Sequence, residues 1–226
     1  MRGWLFGLGA VTLLVAAAQA DPYWIAYEGD DYPENCGWGR TYGNWGGQHQ
    51  GEADRQIEDG VLKMDSLFDS GVYDYVFIDR PGEMDPGPGE TFIMQWRLLV
   101  HAGSGWDPAV ALSSDDKWMI GLEFKEGYVR SIFEGDITFP VAAEVFHTYE
   151  IRSEDMRTYC MYIDGVLRHE GSFWLSVSPA YVAWGDGVLG AASWAEWDYF
   201  RFGVAPEPSG LLLMLAAAAC YRGRRR

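Results

Sequence analysis

Short runs of alternating apolar and polar residues recur along most of the chain, separated by turn-forming clusters. The longest covers residues 90–100. On an extended chain it puts Phe92, Met94, Trp96, Leu98 and Val100 on one face, and Ile93, Gln95, Arg97 and Leu99 on the other. The breaker Asp85-Pro86-Gly87-Pro88-Gly89 precedes it. Further strands are predicted at 61–65, 72–78, 109–113, 118–124, 128–133, 147–152, 158–163, 166–171, 181–184 and 194–202. Asp164-Gly165 separates two of these runs, the signal of a type I′ hairpin with glycine supplying positive φ. Residues 35–51 read as a long glycine-rich loop. Heptads, a long amphipathic helix and internal repeats are absent from the pattern. Ten or more strands at this spacing predict an all-β fold, a two-sheet antiparallel sandwich.

Composition agrees. Aromatic residues make up 15% of the chain and glycine occupies 28 positions, which suits short strands and tight turns better than a helical bundle. Charge narrows the partners. All 33 acidic residues but only 12 of the 17 basic ones lie within residues 21–207, so that segment carries a net charge of −21. Such a surface repels phosphate backbones and anionic lipid, which argues against nucleic acid. It suits divalent cations, cationic partners or neutral ligands. Of three cysteines, Cys36 and Cys160 fall in this segment and Cys220 near the end; their spacing matches no zinc site, and whether Cys36 and Cys160 pair is left open.

The two ends differ from the middle. Met1-Arg2-Gly3, an apolar stretch over 4–18 and Ala18-Gln19-Ala20 have the three parts of a secretory signal peptide, 1–20, with cleavage expected after Ala20. At the other end Pro206-Glu207-Pro208 leads into an apolar run and then Arg222-Gly223-Arg224-Arg225-Arg226. This segment, 205–226, resembles the PEP-CTERM sorting signal of exported bacterial proteins. The resemblance implies membrane association of the tail, handling by an exosortase-type enzyme, and delivery to the envelope, cell surface or extracellular matrix. The run 211–221 is eleven residues, roughly 17 Å as a helix against roughly 30 Å of hydrocarbon. Membrane association is therefore expected to be transient.

Between the ends, residues 21–204 are expected to form one domain. Phe146-His147-Thr148-Tyr149-Glu150-Ile151-Arg152, followed by Tyr162-Ile163-Asp164-Gly165-Val166-Leu167, resembles the paired strands of concanavalin A-like lectin/glucanase domains, including their laminin-G-like branch. Trp197-Asp198-Tyr199-Phe200-Arg201-Phe202-Gly203 resembles their closing strand. The resemblance implies a jelly-roll of two antiparallel sheets.

Glucanases of that group hold their catalytic carboxylates at alternate positions of one strand, which keeps them on one face. Glu196-Trp197-Asp198-Tyr199-Phe200 begins this spacing but has Phe200 where an acid is needed, and Glu123-Phe124-Lys125-Glu126 breaks it. Glu196 and Asp198 read as edge or turn polar groups. No catalytic residue is assigned, and none of His49, His101, His147 and His169 sits in a pattern that fixes a role; His147 reads as a strand opener. A binding face is favoured instead, because aromatic rings cover the C–H faces of sugars while carboxylates and arginines bind the hydroxyls. Ser113-Ser114-Asp115-Asp116-Lys117-Trp118 and Trp184-Gly185-Asp186-Gly187 each place a tryptophan near an acid. Trp118, Trp184, Asp115, Asp186 and Arg130 are the candidate ligand residues. No cofactor is assigned; calcium on Asp115, Asp116 and Asp186 is the alternative. The expected function is an exported, non-catalytic glycan-binding or interaction module with extracellular polysaccharide as partner. A glycoside hydrolase or polysaccharide lyase on the same fold, or a purely structural surface protein, are the alternatives.

Overall fold

The computed structural model describes residues 23, 25–44, 52–68, 72–79, 84–114, 118–135, 137–175, 179–187 and 191–206. The strands are, in chain order, β1 (Ile25–Tyr27), β2 (Gly39–Asn44), β3 (Asp54–Glu58), β4 (Val61–Asp65), β5 (Val72–Asp79) and β6 (Glu90–Gly103). Then come β7 (Ala109–Ser113), β8 (Trp118–Lys125), β9 (Tyr128–Ser131), β10 (Thr138–Pro140) and β11 (His147–Ser153). β12 (Thr158–Ile163), β13 (Val166–Ser172), β14 (Trp174–Leu175), β15 (Tyr181–Asp186) and β16 (Ser193–Pro206) follow. A 3-10 turn spans Pro33–Cys36.

The strands form two antiparallel sheets. The first runs β13-β12-β11-β6-β16-β4-β3, with β1 beside the second half of β16. The second runs β10-β9-β8-β7-β15-β5-β2, with β14 beside β8. Neighbours far apart in sequence, such as β16 between β6 and β4, give the crossovers of a sandwich rather than a simple meander.

The core lies between the sheets and is mostly aromatic. Phe92, Met94, Trp96, Leu98 and Val100 of β6 are all buried, as their alternation predicts. The Trp96 ring stacks between Tyr149 and Phe200, at 5.7 Å from each, and meets the edge of Phe124 at 5.9 Å. Trp184 stacks on Phe200 at 5.6 Å and touches Trp197 at 4.8 Å, so the two sheets share one continuous ring layer.

The predicted hairpin is present. Asp164 and Gly165 have φ of 52° and 74°, and Ile163 pairs with Val166 across them. β11 and β12 pair through Tyr149 and Ile163, the two runs on which the family resemblance rests. The expected loop at 35–51 is corrected in its middle: residues 39–44 are β2, the edge strand of the second sheet, while 45–51 lie outside the described residues. Its Gly-Arg-Thr-Tyr-Gly-Asn sequence lacks a run of β-branched residues, and backbone pairing to β5 carries it. Both domain cysteines are free thiols, Cys36 exposed in the 3-10 turn and Cys160 in β12.

Removing the central ring is the sharpest test of this packing. Trp96→Ala is expected to destabilise the domain by about 3–5 kcal/mol, read from urea denaturation at constant m-value.

Candidate functional site

Strands of the second sheet show their inner side chains to the core and their outer ones to solvent. In β15 Val182, Trp184 and Asp186 point inward, and Tyr181, Ala183 and Gly185 outward. In β7 Val110 and Leu112 are core, leaving Ala109 and Ala111 outside. In β5 Val72, Asp74 and Val76 are buried, leaving Tyr73, Tyr75, Phe77 and the exposed Asp79 outside.

Register aligns these positions into rows. Phe77 faces Ala183, which faces Ala111; Tyr75 faces Gly185, which faces Ala109; Asp79 faces Tyr181. Two adjacent strands with alanine and glycine outside make a low floor, and the aromatic side chains of β5 make a wall. The result is a trough of about 500 Å3, lined among others by Tyr75, Phe77, Asp79, Ala111, Tyr181 and Ala183. Rings of Tyr73, Tyr75 and Phe77 follow one another at 6.4 and 5.9 Å along the wall.

Two glycines keep the trough open. A Cβ on Gly39 would stand 2.7 Å from the Phe77 ring, so glycine lets that ring lie over β2. Gly185 has φ +119°, and a Cβ there would meet the Asp74 carbonyl oxygen at 2.9 Å.

The ionisable groups around this surface are mostly engaged. Arg40 makes two bonds to the buried Asp74 carboxylate, at 2.9 and 2.5 Å, and pairs with Glu52. Arg130 donates to Glu123 at 2.6 Å, and Lys125 to the Asp107 carbonyl at 2.8 Å. Burial holds the Lys125 amine below, and the Tyr181 hydroxyl above, its ordinary pKa. Beneath the end of the floor Asp186 is 1% exposed and accepts from Ser66 Oγ. Asp107 is also buried and accepts the Gly187 N–H at 3.0 Å. Burial, a hydrogen bond to Asp107 and the Asp107 charge raise the Asp186 pKa to about 10.

No protein-family model matches the chain, and no curated protein does. Solved structures do. The chain is similar to a conserved carbohydrate esterase from Shiga toxin-encoding bacteriophage phi24B, at 9% identity and TM-score 0.57 over 82% of this chain and 99% of that one. It is similar to a glycosyl hydrolase family protein from Mycobacterium fortuitum, at 15% identity and TM-score 0.53 over 80% and 99%. Against a Bacillus licheniformis β-glucanase the figures are 12%, 0.49, 79% and 96%. The fold is a concanavalin A-like jelly-roll sandwich.

The residues singled out from sequence do not meet in the trough. Trp184 is a correction: it borders the trough, but at 1% exposure its ring is core and stacks on Phe200. Asp186 shares its parity and points the same way, into the sandwich. Trp118 continues the inward face of Ile120, Leu122 and Phe124 and packs at the core margin, with Arg157 6.0 Å from its ring. Arg130 is on the outer face but bound to Glu123, two strands from β7. Asp115 lies outside the described residues, as do Ala20, Glu207 and Pro208; Pro206 ends β16 opposite Glu90. Among the described residues no group of three or more His, Cys, Asp or Glu side chains could hold a metal ion.

Glu196 and Asp198 are a further correction. They sit not at an edge or turn but on a strand with neighbours on both sides, on the solvent face of the first sheet, bound to His101 and Arg97. Asp198 continues the outward face of Glu196, and the bulge between Trp197 and Tyr199 then returns Phe200 and Phe202 to the core. His147 does open β11, where its ring bonds Asp164 at 2.6 Å and the Ala142 carbonyl at 2.9 Å.

The Asp186 pair has a measurable consequence. Unfolded, an aspartate titrates near 3.8; folded, Asp186 keeps its proton to about 10. The folded chain holds the extra proton between those values, so this contribution to stability falls as pH rises through that window. Asp186→Asn needs no proton. Its denaturation midpoint is expected to fall less than that of the wild type between mildly acidic and mildly alkaline pH; parallel curves would refute the assignment.

Proposed function

We propose that the chain is an exported, non-catalytic glycan-binding module whose ligand lies in the trough of the second sheet. The carrying observation is the combination of the Tyr75 and Phe77 wall, the Tyr181 ring and the alanine-glycine floor. Flat rings beside a low floor accept the C–H faces of sugar rings, and a volume of about 500 Å3 is the size of a short oligosaccharide site.

Spacing argues against glycoside hydrolysis. Among the described outward positions of the second sheet the carboxylates are Asp79 and Glu123. They are separated by three inter-strand steps, from β5 through β15 and β7 to β8, about 14 Å, and by four residues along the strands, about 13 Å, or about 19 Å in all. Paired glycosidase carboxylates stand about 5–9.5 Å apart. Glu123 is moreover 1% exposed and tied to Arg130.

Export and sorting rest on the two ends, with an exosortase-type enzyme and the extracellular matrix or cell surface as the setting. The mature exported protein is expected to begin at Asp21 on N-terminal sequencing; an intact Met1 in the exported fraction would refute cleavage.

Binding is tested by affinity electrophoresis and calorimetry against soluble polysaccharides. Tyr75→Ala and Phe77→Ala are each expected to cost about 2 kcal/mol, roughly thirtyfold in affinity, while Trp118→Ala leaves binding unchanged. Release of reducing ends by the wild type would favour the hydrolase instead.

A further inference from the structure

Among the described residues the trough contains one acidic side chain. Its lining residues are aromatic or small, apart from Thr41 and Asp79. Asp79 is exposed, stands directly opposite Tyr181 and lies two residues from Phe77 on the same face. Opposed side chains in an antiparallel pair start about 5 Å apart, so the carboxylate has the Tyr181 ring beside it across the strands and Phe77 next along its own strand on the same face. Among the described residues Asp79 makes no hydrogen bond or ion pair.

Cations that could serve an acidic ligand are occupied elsewhere. On the described strands of the second sheet they are Arg40, Lys125 and Arg130. Each is held by a carboxylate or a carbonyl oxygen outside the trough. Residues 21–207 carry a net charge of −21, so the long-range field also repels anions and draws in cations. A lone carboxylate beside two rings matches an ammonium group, which takes its charge from the carboxylate and its remaining contacts from the ring faces. A uronic acid would meet Asp79 with like charge and, among the described residues, no free counter-ion. A neutral hexose would donate hydroxyl hydrogen bonds to Asp79 but bring no charge to it.

We propose that the trough selects an amine-bearing glycan, a chain of amino sugars with free, protonated amines, with Asp79 as the ammonium acceptor beside Phe77 and Tyr181. This rests on the reading of the trough as a glycan site. It adds a substrate class: cationic, not neutral or uronic.

The test is titration calorimetry of the purified exported protein at mildly acidic pH, where the sugar amine is protonated, and about 0.15 M salt. Four hexamers are compared: glucosamine, N-acetylglucosamine, β-1,4-linked glucose and galacturonate. The glucosamine hexamer is expected to bind at least tenfold more tightly than the two neutral ones, and galacturonate not to bind. Asp79→Asn, an isosteric change at an exposed position, should bring glucosamine down to the neutral level and leave the neutral affinities unchanged. Glu170→Gln, which removes an exposed acid from β13 of the other sheet, should change nothing. Equal binding of neutral and amine-bearing chains overturns the amine assignment while leaving the glycan site standing. So does a glucosamine preference that survives Asp79→Asn or falls equally with Glu170→Gln, since that is attraction to net charge alone. Absence of binding by all four hexamers overturns both readings.

Discussion

Everything in this molecule depends on the ring layer shared by the two sheets. A strand can offer only alternate side chains to a core, so an interior filled by Trp96, Trp184, Trp197, Tyr27, Phe92, Phe124, Phe200 and Phe202 fixes what every facing strand must place inward. Each such ring removes 150–250 Å2 from water, far more than an aliphatic strand residue would. The indole N–H groups of Trp38, Trp96, Trp184 and Trp197 are buried without a hydrogen-bond partner among the described residues. These tryptophans therefore serve by size and shape, and packing outweighs roughly 1–3 kcal/mol lost per unmet donor.

The trough is the other side of that constraint. With Trp184 and Val182 turned into the core, β15 has only Tyr181, Ala183 and Gly185 to show outside. With Val110 and Leu112 inside, β7 shows two alanines. The recess arises because the bulk of both strands is already committed inward, and the neighbouring β5 reverses the balance by placing its rings outside. That reversal requires Asp74 to be buried, which is tolerable because the Arg40 guanidinium grips it with two bonds. A buried ion pair at the sheet's margin is thus what frees Tyr73, Tyr75 and Phe77 for the surface.

This also explains what could be read from the sequence. The strand pattern, the β6 face and the Asp164-Gly165 hairpin follow from local rules and are present. The Asp59-Gly60 turn, with φ of 55° and 75°, joins β3 to β4 by the same rule and was equally legible. β10 and β14, at three and two residues, are too short to carry a period. The site was harder. Hydrophobicity alone would place Tyr73, Tyr75 and Phe77 in the core and Asp74 in water; the reverse holds because Arg40 arrives from a strand thirty-four positions away. Trp184 beside Asp186 looked like a ligand pair, yet positions two apart share a face, and Val182 on that same face marks it as the interior. The signal that could have found the trough was the small residue at each outward step, Ala109, Ala111, Ala183 and Gly185.

The floor's far end shows how shape and charge are joined. Gly185 holds a positive φ where any side chain would strike the β5 backbone, and the chain then turns so that the Gly187 N–H reaches the Asp107 carboxyl. Asp186, between them, is forced inward beside Asp107, and two buried carboxyls cannot both ionise there. One must keep a proton for the turn to hold its form. Hence the end of the trough is titratable although both carboxyls there are buried. The exposed Asp79 belongs to the row that pairs with Tyr181, two residues along β15 from Ala183 and four from Gly185, away from that pair. Shape at one end and charge at the other can therefore be separated by mutation, which is the physical basis for treating fold stability and the proposed ligand selection as distinct properties of the same sheet.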